Sequence, residues 1–151
     1  MSVDITTLVK SGLITEVEKL HDEIKKAVEP LTDAQLWTKP VEPGNSAGHL
    51  ILHLTGNLNH FVGAQLGGTG YRRDREREFT ETQSPPRGTL LANFDAAVAT
   101  FRRVVEALTP EKLASPHPEP RLGIVCSGLI HLVAHFALHR GQISYIVRLL
   151  K

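Results

Sequence analysis

An all-α four-helix bundle is the fold this sequence predicts. Three observations lead there: long segments whose apolar residues step by three and four, breaks rich in proline and glycine between them, and no apolar–polar alternation that would compete as a strand. Four such segments of ~20–27 residues would each be ~30–40 Å long, which suits a four-helix bundle. With 151 residues the chain reads as a single domain, residues 1–151, without an internal repeat or a low-complexity tract.

The first helix is expected from about Asp4 to Glu29. Ile5, Leu8, Val9, Leu13, Val17, Leu20, Ile24 and Val28 form its apolar stripe, and Pro30 ends it. Thr32-Asp33-Ala34-Gln35 has capping-box spacing, so a short turn should carry Leu36 and Trp37 before Pro40 and Pro43-Gly44 stop it. Asn45 or Ser46 can cap a second long helix reaching to about Leu66, with Leu50, Leu54, Leu58, Phe61 and Val62 inward. Gly48, Gly56 and Gly63 each cost up to ~1 kcal/mol in a helix, a cost often tolerated for close packing or for room beside a ligand.

From Gly67 to about Gly88 the chain is polar and reads as a loop. A third helix spans roughly Thr89 to Leu108, and Thr109-Pro110-Glu111 caps a short one. The last helix runs from about Gly123 to Leu150. A loop of about 20 residues between helices two and three could recross the bundle at ~3.3 Å per residue. It could therefore join two parallel helices, giving up-down-down-up topology.

Composition narrows function by exclusion. Apolar side chains make up 41%, and 17 Lys and Arg face 16 Asp and Glu, for a formal charge of +1. That balance offers no electrostatic footprint for nucleic acid or an anionic membrane. No apolar run approaches the ~20 residues of a membrane span, and the N-terminus lacks the features of a signal peptide. Cys126 is the single cysteine, so a disulfide framework is excluded. A cytoplasmic location is the expectation.

Eight histidines stand out, six of them in two segments. His49, His53 and His60 lie on helix two; His131, His135 and His139 lie on helix four. Neighbours four apart share a face with Cβ atoms ~5–6 Å apart, so two imidazoles there can reach one ion. A third ligand must come from elsewhere, and antiparallel packing would offer His53 or His49. An isolated buried histidine is more often a hydrogen-bonded core residue than a ligand. Here the flanks are strongly apolar (Leu129, Ile130, Leu132, Val133, Phe136), so several buried imidazoles would each need a partner. A shared cation would serve them together. Cys126 precedes His135 by nine residues and falls on the opposite face; His60 lies ~10 Å along the axis from His53, too far to share its ion. His21 and His117 are expected to face solvent.

The chain resembles the DinB-like (DinB/YfiT) superfamily of four-helix metal proteins. The likeness rests on Leu31-Thr32-Asp33-Ala34-Gln35-Leu36-Trp37 with Pro43-Gly44-Asn45-Ser46, on Asn45 through Leu58 around His49-Leu50-Ile51-Leu52-His53, and on His131 through Ile143. Arg72 through Phe79 is similar to an Arg/Asp-rich segment of an uncharacterised subgroup. The resemblance implies that His53, His135 and His139 hold one divalent ion per chain, zinc or nickel. It leaves His49 and His131 as supporting residues, alternative ligands or core residues. Three ligands would leave a coordination position open, as in catalytic sites.

Family members with known activity include mycothiol-dependent isomerases and bacillithiol-type transferases. The resemblance therefore implies a metal-dependent enzyme acting on a small molecule, with a low-molecular-weight thiol as cosubstrate, of transferase, isomerase or hydrolase type. The alternatives are a non-catalytic metal-binding or stress-associated bundle, and an interaction module with merely structural histidines. Asn57 and Gln142 are candidates for hydrogen bonds behind the ligands or to substrate, although each alone reads first as a helix-facing amide bonding its neighbours. Arg72 to Glu78 holds four arginines and three acidic residues, expected as a solvated loop with local ion pairs. One of those arginines could reach an anionic substrate near the bundle mouth. Broad apolar stripes and the family's habit of self-association imply a homodimer.

Overall fold

Asp4 accepts hydrogen bonds from the backbone N–H groups of Thr6 and Thr7 and so starts helix α1 (Ile5–Val28) in a computed structural model that describes residues 2–151. Leu13, Ile14, Val17, Leu20, Ile24 and Val28 bury the stripe read from the sequence. Thr32 and Gln35 form the expected capping box of the four-residue helix α2 (Asp33–Leu36), and the Gln35 side-chain amide also donates to the Leu150 carbonyl. Ser46 caps α3 (Ala47–Leu58), whose axis continues through a π-helical stretch, Asn59–Ala64, into α4 (Gln65–Gly67).

After Gly68, in the left-handed region at φ 63°, the chain crosses the bundle and forms α5 (Arg77–Thr80) on the way. Then follow α6 (Arg87–Glu106), α7 (Pro110–Ala114), a 3-10 turn at Pro120–Leu122 and α8 (Val125–Leu150). Among the described residues the only β-type pairing is an isolated bridge between Pro116 and Ile124. No helix among them is long and apolar enough to cross a membrane.

Side-chain contacts fix the directions of the four long elements. Lys10 donates to the carbonyls of Glu106 and Leu108, Arg102 pairs with Glu18, and Lys25 pairs with Asp95, so α1 and α6 are antiparallel. Leu52 and Thr55 share a surface cleft with Leu90 and Asn93, while Gly63 lies against Thr100 and Gly67 against Val104. Helices α3 and α6 therefore run parallel. Arg140 pairs with Glu23, and Leu150 meets Gln35 beyond the end of α1, so α1 and α8 also run parallel. The order is up-down-down-up, and the crossover between α3 and α6 is what permits it.

The π stretch is a departure from the expected uninterrupted α-helix. A π turn frees backbone groups from the regular ladder. Here the Phe61 carbonyl accepts a hydrogen bond from His117 Nε2, and Glu119 N–H donates to His117 Nδ1. His117, expected at the surface, is 3% exposed because it seals this interruption. His21 is likewise mostly covered: its Nε2 lies 2.7 Å from Asp95 Oδ1 and its ring meets Phe94 edge-on. An acidic residue on the neighbouring α6 gives it a partner that the pattern of α1 alone does not disclose.

Candidate metal centre

The spacing of four residues on α8 puts His135 and His139 on one face, and antiparallel α3 brings His53 to meet them. His135 Nε2 lies 3.0 Å from His53 Nε2 and 2.9 Å from His139 Nε2. The three rings stand nearly edge-to-face to one another. Chosen one atom per ring, their nitrogens all fall within 4.8 Å, a grouping that can hold a metal ion.

What lies behind each ring sets its tautomer. His53 Nδ1 is 3.0 Å from Glu78 Oε1, and an ionised carboxylate only accepts, so Nδ1 carries the proton and Nε2 is left with its lone pair. Glu78 is itself held by Arg73, whose Nε and Nη2 donate to its two oxygens, each over 2.8 Å. Burial pushes the Glu78 carboxyl upward, but the hydrogen bonds from His53 and Arg73 outweigh it and hold the group below the usual range. On the other side His139 Nδ1 donates to Gln142 Oε1 over 2.7 Å, which bares its Nε2 as well. Burial first, then the His53 charge, lowers the His139 pKa against the opposing pull of that amide.

His135, between them, is pushed down to about 3 by burial first and then by the charges of His139, His53, His131 and Arg73. It is a neutral ring at neutral pH, and its single N–H cannot satisfy two facing lone pairs. Its Nδ1 is buried without a partner. Convergent neutral nitrogens with oriented N–H groups behind them are the donor set of a histidine metal centre. Zinc–nitrogen bonds of ~2.0–2.1 Å place tetrahedral ligands roughly 3.3 Å apart, a few tenths beyond the two contacts of His135. The residues fit a divalent ion.

Gly56 makes the arrangement possible. A Cβ at this position would collide with Glu78 Oε2, so the missing side chain is the seat of the buried carboxylate. The room expected beside this glycine is thus filled by a residue of the crossover. Glu78 and Arg73 were legible only as part of a mixed charge run, whose expected solvated character holds for Arg77, 65% exposed and paired with Glu81 at 2.6 Å. For Arg73 and Glu78 it does not. Both side chains are under 9% exposed, because the crossover, with Glu78 on α5 and Arg73 just before it, runs over α3.

The remaining candidates separate clearly. His49 uses both nitrogens in the fold, one with Ser46 Oγ at 2.6 Å and one donating to the Glu81 carbonyl at 2.9 Å, and its ring abuts Trp37. It stands outside the triad. Exposed His131 and buried Asn57 line a cavity beside His53 and His135, and Gln142 orients His139. Cys126 packs against the core away from these groups.

Acid should weaken the metal-free protein. Between about pH 6.5 and 3 the unfolded chain binds a proton at His135 that the folded chain refuses, so stability falls as pH falls through that window. His117, lowered chiefly by burial, contributes in the same direction. Urea unfolding of chelated protein should show a lower midpoint at pH 5 than at pH 7, and an unchanged or higher one would contradict the buried neutral rings.

Comparison with known proteins agrees with this architecture. No curated protein matches the chain. A conserved protein from Enterococcus faecalis of known crystal structure superposes with a TM-score of 0.75 over 98% of both chains at 16% identity. YfiT from Bacillus subtilis, described as a probable metal-dependent hydrolase with an unusual four-helix bundle topology, superposes with a TM-score of 0.74 at 21% identity, over 97% of this chain and 89% of its own. The sequence profile of the DinB superfamily matches residues 16–143, and the chain belongs to that superfamily.

Proposed function

We propose that this protein is a metal-dependent enzyme acting on a small molecule, with His53, His135 and His139 holding one zinc or nickel ion. The observation that carries this reading is the convergence of three neutral imidazoles, two with lone pairs bared by Glu78 and Gln142, beside a cavity of about 360 Å³. A divalent ion bound by three neutral ligands supplies an acidified water, a Lewis acid, or a seat for a thiolate. The chain's own residues do the rest. Glu78 and Gln142 keep the Nδ1 protons in place, and Asn57 presents an amide to the cavity. Phe61 and Leu132 exclude water from its inner end. The hydrolase description of YfiT supports hydrolysis of a small substrate, and a low-molecular-weight thiol is the cosubstrate proposed for a transfer reaction. The cytoplasm, reducing and rich in thiols, is the proposed setting.

Cobalt substitution tests the open position. Small thiols and azide should each alter the visible spectrum of the cobalt protein, and His139→Ala should abolish the response. A spectrum indifferent to every added ligand would indicate a closed structural site instead.

The proposed assembly is a homodimer. Ile130, Leu138, Tyr145 and Leu149 are exposed along one side of α8, and a symmetric pair would cover such a stripe. Light scattering across the micromolar range should give twice the chain mass; the monomer mass throughout would refute it.

A further inference from the structure

The cavity beside the triad has a buried end and an exposed mouth of different chemistry. His53, Asn57 and Leu132 are buried at the inner end, whereas Arg75, Arg121 and His131 are exposed at the mouth. Phe61 and Leu122 supply apolar wall between them. Among the described residues no carboxylate lines this space.

The three lining arginines are not equivalent. Arg73 is committed: Glu78 takes its Nε and Nη2, and its guanidinium lies over the Phe61 ring. Arg121 pairs with Glu119 Oε1 at 2.8 Å while 78% exposed, and so exposed a pair holds it only weakly. Arg75 has no carboxylate at ion-pair distance among the described residues. Its guanidinium sits 5.5 Å from the Phe79 ring centroid, a contact that orients the plane while leaving the N–H edges free. Phe79 in turn packs against the His53 ring, so the free cation is tied to the same wall as the triad.

We propose that this cavity binds a metabolite-sized anion, its carboxylate or phosphate held at the mouth by Arg75 first and Arg121 second. The uncharged part of the molecule lies against Phe61, Leu122 and Leu132, pointing its reactive end at His53 and His135. A guanidinium fork matches both oxyanions, and the volume is at the small end of the ~300–1,000 Å³ usual for ligand sites. Cationic substrates are disfavoured by the same residues. The inference names the substrate class for the proposed metal enzyme, and the orientation of the molecule rests on that reading; the anion site itself needs no ion.

The test therefore uses the full-length protein freed of metal, titrated at low salt with inorganic phosphate and, separately, with benzoate. Arginine Nε–H signals are followed by NMR. Binding in the millimolar range is expected, with the Arg75 and Arg121 signals moving. Arg75→Gln should weaken it about fivefold and the Arg75→Gln/Arg121→Gln pair should abolish it, without loss of zinc binding in a parallel assay. Glu119→Gln, which releases Arg121, should strengthen binding about twofold. Preference for phosphate or for benzoate then distinguishes the two oxyanions. Binding undiminished in the double variant, movement confined to other arginines, or no binding of either anion would overturn the proposal. Failure of the wild-type protein to bind either zinc or nickel while it still binds these anions would instead refute the metal reading and leave the anion site standing.

Discussion

Replacing His53, His135 or His139 singly with Ala is expected to bring the metal content of the purified protein from about one ion per chain to a small fraction of that. Loss of a group merely hydrogen-bonded to a ligand typically costs 10–100-fold in affinity, and loss of a ligand should cost at least the upper end of that range. His21→Ala and His117→Ala are the controls. Both should keep the ion, since their nitrogens are engaged by Asp95 and by the Phe61 carbonyl and Glu119 N–H respectively. His117→Ala should still lose about 1–3 kcal/mol of stability, because it strands the Phe61 carbonyl at the π interruption. Inductively coupled plasma analysis and urea unfolding of the same samples separate the two effects. Metal loss in a control equal to that in the ligand variants would sink the assignment.

The second large effect is expected at Glu78. Glu78→Gln retains a side-chain acceptor for His53 Nδ1 but loses the charge, and zinc affinity should fall by about 10–100-fold with the fold intact. Glu78→Ala goes further, because it leaves Arg73 without its buried partner. Breaking a buried ion pair from one side costs about 3–5 kcal/mol, so this variant should unfold at markedly lower urea. Gly56→Ala should act through the same carboxylate, driving it off α3 and weakening metal binding although Gly56 touches no ligand. Competition with a chromophoric zinc chelator checks the affinities. Wild-type affinity in all three variants would show that Glu78 is only a structural ion-pair partner.

The helices and their connection were legible because each rests on local rules. Caps at Thr32 and Ser46, the stripe of α1 and the proline at the start of α7 are visible within a few residues of sequence. The length of the crossover also admitted the parallel pairing of α3 and α6, since a short loop could not have reached. The pair His135 and His139 was legible for the same reason: helical spacing alone places them together. That His53 meets them where His49 does not depends on the rotation of α3 against α8, a tertiary quantity. The resemblance supplied that choice, and the structure brings the same three rings together.

Three features had no local signature. The π stretch Asn59–Ala64 has no composition that distinguishes it from a glycine-containing α-helix. The burial of His117 follows from it, through a carbonyl that an unbroken helix would have kept for itself. Arg73 and Glu78 sit in a run whose alternating charges read as solvated, and their burial is set by where α5 crosses Gly56. A glycine in the middle of a helix opposite an acidic crossover residue is the one sign that could have pointed to them.

A centre of three protein ligands, all imidazoles, with room for an added one, is tested most directly by X-ray absorption at the zinc edge of untagged, zinc-loaded protein. Three nitrogen scatterers at ~2.0–2.1 Å with imidazole multiple scattering, together with one further light atom, are expected. A shell containing sulfur, or four imidazoles through recruitment of His49 or His131, would contradict it.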